Sequence, residues 1–567
     1  MEEQSHHHEI HHHADWFWKL PIQRQRWGDQ QVLPHVNWGD LFFDLFYVAA
    51  AYNLAYVIKS DLNGISVLYF FGCFGPLTGV FWTNKLTYDL RFQMPDDFIH
   101  VFIEVVRLCL VATAVAHIRP IEYMSHPETY PHMFTFCLTC WLGILLYLLL
   151  NLEIRFIGVV GEDASKYSCM TDVISQIPTF LFVTAATIAA GTKYFSGNDD
   201  HQYRQLAGSG NDDYTSEAAF HIPIALMVCS WLVRHSLGSV LIFSRAGKDF
   251  KKRSIPINVE FMIHRFGEWT MLMLGESILS LLIVELAYDS LNYYITFYLG
   301  ILSVICLQYL YFKSQPHHPD GHAARRSRWA GVTFVALIQF YSAALIIVGV
   351  SYKMLLTEYG LESQYETSYD ATDDKYSSTG SGRFLDRSTA NVITESNRLL
   401  AGGSSGAYYN YTQEERRYRI ASFFSAGLAT SFLTLDLMNI NHTGIQKSIS
   451  MCHCPNTGKF RMKGFVFVVL LRLVVIIFVA TIALYITEPE LVALAGFCAI
   501  SIQVIIRLIG AKYYHPLSFH HDVHEEQQNE AEKGDRFAHG QPNIVDEEVN
   551  EELWPNTTQA MSVPREE

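Results

Sequence analysis

Stretches of about twenty mostly apolar residues recur along this chain. A stretch of that length has one common stable use, a helix across the hydrocarbon of a bilayer. They fall at roughly 41–59, 64–83, 98–118, 132–151, 173–191, 218–243, 261–286, 292–313, 329–354, 418–440, 464–486 and 489–510. The pattern predicts an all-α fold, a polytopic transmembrane helical bundle of about twelve spans, with a range of ten to twelve. The fifth stretch is the weakest, because Pro178 interrupts it early, and the seventh carries four ionisable residues. Composition agrees: only 17% of the 567 residues are charged, where a soluble domain carries about 25%. The formal charge of −15 belongs mostly to the tails. Residues 515–567 hold thirteen Asp/Glu against Lys533, Arg536 and Arg565, and residues 1–14 add Glu2, Glu3 and Glu9. A basic nucleic-acid binder and a secreted disulfide-stapled domain are excluded. Most of the ten cysteines lie inside apolar runs, where a thiol is a small hydrophobe. No signal peptide opens the chain, so the first span is expected to direct insertion.

Loop charges set an orientation. The sixth loop holds Arg245, Lys248, Lys251, Lys252 and Arg253, the eighth Lys313, Arg325, Arg326 and Arg328, and the tenth Lys447, Lys459, Arg461 and Lys463. Loops seven and eleven hold no Lys or Arg. The positive-inside rule then places the even loops and both termini in the cytoplasm, and the sequon Asn441-His442-Thr443 with them, unmodified. The chain divides into a His-rich polar tail (1–37), a membrane block of about nine helices (38–354), an extramembrane loop rich in Ser, Gly and Tyr (355–417), a second block of about three helices (418–510) and an acidic, His-containing tail (511–567).

An ionisable residue at membrane depth costs several kcal/mol, so it needs a partner, water or a purpose. In span seven, Glu260, His264, Glu268 and Glu276 step by four, four and eight along one side of a helix, with Arg265 on the adjacent row. Glu276 sits among leucines and isoleucines, where a carboxyl either ionises against a cation or holds a proton. The bland alternative is a pair made only for packing. In span one, Asp40 fits a first-turn role at the helix N-terminus. Asp44 lies deeper and faces either a polar cavity or a partner, and Asn53 would extend that polar path. In span three, Glu104 and Arg107 are three apart and can pair, or Arg107 can reach a distant acid such as Glu276. Arg234 keeps its proton and must meet an acid or an anion. Arg472, eight residues into its span, is expected to be paired, whereas Asp436 and Arg507 lie near span ends. Acids and bases nearly balance, which suits both a satisfied internal network and a proton- or ion-coupled path.

Other features are weaker. Gly75 and Gly79 form a GxxxG pair in a span that also holds Pro76, a sign of close packing or a kink. Gly267 and Gly275 precede Glu268 and Glu276, where a glycine would admit a neighbouring backbone or let the helix deform near the acids. His6–His8 with His11–His13, the group His515, His520, His521 and His524, and Cys452-His453-Cys454 with His442 imply no fixed metal geometry. No metal and no cofactor is expected. Protease, phosphate-loop and nucleophile-elbow motifs are absent, so the chain reads as non-enzymatic.

Asp40-Leu41-Phe42-Phe43-Asp44-Leu45-Phe46-Tyr47 resembles the opening ELFFDLVFV segment of the low-temperature-requirement A (LtrA) family. Arg265-Phe266-Gly267-Glu268 and Leu274-Gly275-Glu276-Ser277 resemble its ERFG…LGES signature. Asp40 stands for the first motif's Glu and Asp44 matches its Asp. His264 takes the place of the Glu before Arg-Phe-Gly, Phe261 stands where many members have His, and Glu268 where an apolar residue is common. The resemblance covers residues 35–510 apart from the long loop. It implies a polytopic membrane protein linked by name to growth in the cold, with no settled substrate.

Two readings of function follow. The first is a secondary transporter or proton-coupled permease, working through Asp44, Glu104, Arg107, Arg234, His264, Arg265, Glu268, Glu276 and Arg472 on protons, a small solute or an ion. The alternative is a non-transporting sensor or structural protein, related to cold growth or stress, whose buried charges serve helix packing. A membrane-embedded cavity lined by Asp44 and Glu276 favours the first, dry pairing the second. The bilayer is the expected partner in both, an oligomer is left open, and nucleic acid is not expected.

Overall fold

The computed structural model describes residues 16–26, 38–121, 131–161, 163–207, 221–244, 255–284, 291–316, 321–377, 412–443 and 462–514. Within them the chain is almost entirely helical. The helices are α1 (Trp38–Ser60), α2 (Gly64–Pro76), α3 (Asn84–Asp89), α4 (Phe98–Ala116), α5 (Pro131–Phe156), α6 (Ala164–Ala207) and α7 (Ile222–Ser244). They continue with α8 (Val259–Leu282), α9 (Leu291–Ser314), the one-turn α10 (Ala323–Arg326), α11 (Arg328–Ser377), α12 (Gln413–Thr443), α13 (Met462–Thr481) and α14 (Pro489–Tyr514). Side chains start several of them. Asn63 accepts the Ser66 N–H, Asp97 that of His100 and Asn258 that of Phe261, each filling an orphan donor of a first turn.

A π-helical segment, Leu77–Thr83, joins α2 to α3, so the twelve expected spans each overlap one rod. Among the described residues nine rods are long and apolar enough to cross a membrane. Of the other three, α7 and α13 offer shorter described apolar stretches, Ile222–Ser236 and Val468–Leu484. The third, α8, is long but carries Glu260, Arg265, Glu268 and Glu276. Pro178 lies inside α6 without ending it. The protein is a polytopic helical bundle built for a bilayer.

The expected block edges move. Residues 355–377 and 413–417, placed in an irregular loop by composition, are helical extensions of α11 and α12. Met354, Leu355, Leu356 and Tyr359 continue the buried face of α11, and Glu358 forms a buried ion pair with Arg416 of α12 at 2.7 Å. Residues 378–411 lie outside the described residues. The first tail also changes character, because residues 16–26 pack on the bundle. There β1 (Ile22–Gln23) pairs antiparallel with β2 (Phe92–Gln93), Trp18 donates to Glu153 at 2.9 Å, and Gln23 accepts from Ser165 of α6 at 2.9 Å.

The core lies where α1, α2, α8, α11 and α12 meet. Trp82 and Trp269 stack there with ring centroids 4.4 Å apart. Glycines set some of the crossings: a Cβ on Gly349 of α11 would fall 2.8 Å from the Ser277 Cα of α8, so the two backbones nearly touch.

Candidate functional site

The buried charges fall into two levels along α8. At the first level, Asp44 of α1 is fully buried and meets Arg265 of α8 through two contacts, at 2.9 and 2.8 Å. The first is a hydrogen bond to Oδ1, the second an ion-pair contact to Oδ2. The Trp82 indole N–H, placed by the π-helical segment, donates to the same carboxylate at 3.2 Å. Arg265 also bonds Glu268 at 2.7 Å, and Glu268 lies 3.1 Å from the half-exposed His264. The row of α8 groups thus runs from the surface at His264 to the core at Asp44.

Beside this level, Lys85 of α3 bonds Asp40 at 2.6 Å and Asp89 at 2.5 Å. Asp40 is therefore an interhelical ion partner rather than only a first-turn carboxylate. Sequence reading passed over Lys85, because a lysine at a span end resembles an interface residue. Glu104 and Arg107 pair within α4 at 2.8 Å. A cavity of about 10 Å³, lined by Lys85, Arg107, Asn84, Tyr147 and neighbours, adjoins them.

Glu276 forms the second level, eleven residues beyond Arg265 and so ~16 Å along the helix. It sits six residues before the end of α8 rather than at mid-helix. One carboxyl oxygen accepts from Ser280 at 3.1 Å, and the other is buried with no hydrogen-bond partner among the described residues. The cation that acts on it is Lys353 of α11; Arg107 and Arg234 go elsewhere. Gly275 admits no neighbouring backbone, for a Cβ there would meet nothing within 4 Å.

Between the levels lies an apolar layer. Tyr47, Ala50, Ala51 and Leu54 of α1 face Trp269 and Met273 of α8, with Phe74, Leu77, Thr78 and Ile346 around them. They enclose about 10 Å³, roughly the space of one water. Asn53 does not extend a polar path, since its amide donates to the Val115 carbonyl at 2.8 Å.

The other expected sites lie apart. Arg234 of α7 meets an amide rather than an acid, donating to Gln176 at 3.3 Å, while the nearby Asp172 pairs with Arg91. Gln339 of α11, unremarked in the sequence, accepts from Trp231 at 2.6 Å, lies 2.9 Å from His235 and donates to Thr83 at 2.8 Å. Arg472 of α13 pairs with Asp436 at 2.5 Å and donates to Gln503 at 2.9 Å. Among the described residues no group of three or more His, Cys, Asp or Glu is arranged to hold a metal ion. His6–His8, His11–His13, the His515–His524 group and Cys452-His453-Cys454 lie outside the described residues.

A family model described as bacterial low temperature requirement A protein (LtrA) matches residues 35–373, more than half of the chain. The chain belongs to the LtrA family. The LtrA match takes in α1 through most of α11, and with them both levels of charge on α8; α12 to α14 lie beyond it. No characterised protein and no solved structure matches the chain.

Proposed function

We propose that this LtrA-family protein is a non-transporting membrane sensor or structural protein, related to growth or stress in the cold. Its buried charges hold the helices in register. One observation carries this reading: Asp44, fully buried in the family's first motif, is held by Arg265 and Trp82, and neither cavity described above includes it. Pairs at Asp436–Arg472 and Glu358–Arg416 use the same device to join α12 to α13 and α11 to α12. The chain is read as non-catalytic, with the bilayer as its partner. The basic loops favour cytoplasmic termini, so reporters fused after residues 255 and 289 should report opposite sides, the former cytoplasmic.

A second reading, a secondary transporter or proton-coupled permease, rests on Glu276, whose buried second oxygen has no hydrogen-bond partner among the described residues. Purified protein in liposomes separates the two. Imposed proton gradients with a panel of small ions and metabolites should produce no flux above empty vesicles while the protein stays folded. Reproducible flux that Glu276→Gln abolishes would move the assignment to the permease.

A further inference from the structure

One end of the bundle gathers cations and buried donors that make no ion-pair contact among the described residues. His322 caps α10, and its Nδ1 accepts the Ala324 N–H at 3.2 Å, while the Ala323 N–H donates to Nδ1 of His442 on α12 at 3.1 Å. A neutral imidazole that accepts at Nδ1 keeps its proton on Nε2, so each Nε2 is a donor. Both Nε2 atoms are buried and without a hydrogen-bond partner among the described residues. The rings are 4.6 Å apart, and His322 is 0% and His442 5% exposed. Two guanidinium groups act on His442 electrostatically, those of Arg326 and Arg507.

Among the described residues both guanidiniums bond to neutral oxygens. Arg326 donates to Asn441 at 3.4 Å, and Arg507 of α14 to the Lys313 carbonyl at 2.6 Å and to Asn439 at 3.1 Å. Asp436 acts on Arg507 electrostatically, but its ion-pair contact, at 2.5 Å, is with Arg472. Permanent cations with buried, unanswered N–H donors between them are the chemistry of a phosphate oxyanion site. Leu508 and Ile509 on α14 and Phe312 on α9 flank the corner with exposed apolar side chains, which acyl chains would cover.

We propose that this corner, at the meeting of α9, α10, α12 and α14, binds a phosphate group presented by the headgroup of an anionic phospholipid. The test uses the full chain in nanodiscs of phosphatidylcholine, with and without phosphatidylglycerol, and inorganic phosphate in phosphatidylcholine discs at matched ionic strength. Phosphatidylglycerol should raise the melting temperature and remain bound in native mass spectra. Arg326→Gln, at an exposed residue, should weaken that binding roughly fivefold. Arg326→Gln with Arg507→Gln should weaken it further, and Lys166→Gln, which removes an exposed cation elsewhere on the surface, should leave it unchanged. An equal response in wild type and Arg326→Gln would overturn the site. Stabilisation by inorganic phosphate that is lost in the same variants, with no response to phosphatidylglycerol, would overturn the lipid as its source.

Discussion

Asp44 and Glu276 are both acids of the family's motifs, both buried, and both face α8 or belong to it, yet they are held in opposite ways. Asp44 is held by Arg265 through one hydrogen bond and one ion-pair contact, with an indole N–H beside it. Glu276 has one serine and one oxygen without a partner, with Lys353 acting on it electrostatically. The difference shows that burial of an acid in this bundle does not itself create an ion pair. A pair forms where a rigid neighbouring element brings a guanidinium to the same height. At the first level Arg265 of α8 stands at the height of Asp44 on α1, with Trp82 of the π-helical segment beside them. At the second level α11 approaches so closely, through Gly349, that the contact with α8 is mostly backbone and small side chains.

The largest effect expected from this contrast is at Arg265. Arg265→Leu strands Asp44 and Glu268 together inside the bundle, and losing one member of a buried pair costs roughly 3–5 kcal/mol. Unfolding in mixed micelles should show that loss. Asp44→Leu with Arg265→Leu should recover a good part of it, since no uncompensated charge then remains. If Arg265→Leu costs no more than a change at Glu276, the two levels are energetically alike and the contrast fails.

Backbone proximity comes next. Gly349→Ala would place a Cβ 2.6 Å from the Ser277 Oγ and 2.8 Å from its Cα. The crossing must open, at about 1–3 kcal/mol. Gly275→Ala, two residues before Ser277 on α8 and facing open space, should be neutral or slightly stabilising, because Ala is the better helix former. A thermal-melt series of the two variants reads the difference directly. Equal destabilisation would mean that α8 and α11 do not meet as described.

These variants also mark the boundary of what the sequence could disclose. The rods were legible because a hydrocarbon-spanning helix must be long and apolar, and local pairs such as Glu104–Arg107 and Arg265–Glu268 follow from helical spacing. The Asp44–Arg265 contact joins residues 221 apart, and spacing says nothing about it. Helices apolar on nearly every face hide which side is central. The glycine that permits close approach proved to be Gly349 on the partner helix, not Gly275 beside the acid. Lys85, Gln339 and the docked segment 16–26 look like ordinary interface or tail residues until their partners are in place.

A buried polar group can also be held neutral, a third arrangement to set beside the two levels. His322 lies outside the membrane-spanning segments. Burial first, and then the neighbouring His442, push its pKa down to about 3. The unfolded chain binds that proton near the usual pKa of about 6.5, so between these values the unfolded state carries more protons than the folded one. Stability from this group is therefore complete above roughly pH 6.5 and falls as the pH drops toward 3, by at most about 1.4 kcal/mol per pH unit. His442 is nearby and can also respond to acid. The quantity to measure is therefore the difference in melting temperature between wild type and His322→Gln at pH 7 and pH 5. It should shrink at the lower pH. A constant difference would remove His322 from the acid sensitivity.

The smallest effect is the one that tests function most sharply. Glu276→Gln keeps the side chain's shape and an acceptor for Ser280, and it breaks no ion-pair contact. It should change stability by less than about 1 kcal/mol, as expected of a near-isosteric change that keeps its hydrogen bond. It does remove the attraction that reaches Lys353, so Lys353→Met in the Gln background should cost no more than in wild type. A loss approaching the Arg265→Leu value would mean that Glu276 is ion-paired after all and would erase the distinction between the levels. With the stability effect small, flux in the same preparation becomes interpretable. A folded Glu276→Gln protein that matches wild type in showing no proton movement keeps both acids in the structural role. Selective loss of a wild-type flux would leave Asp44 as the anchor of the bundle and make Glu276 its working group.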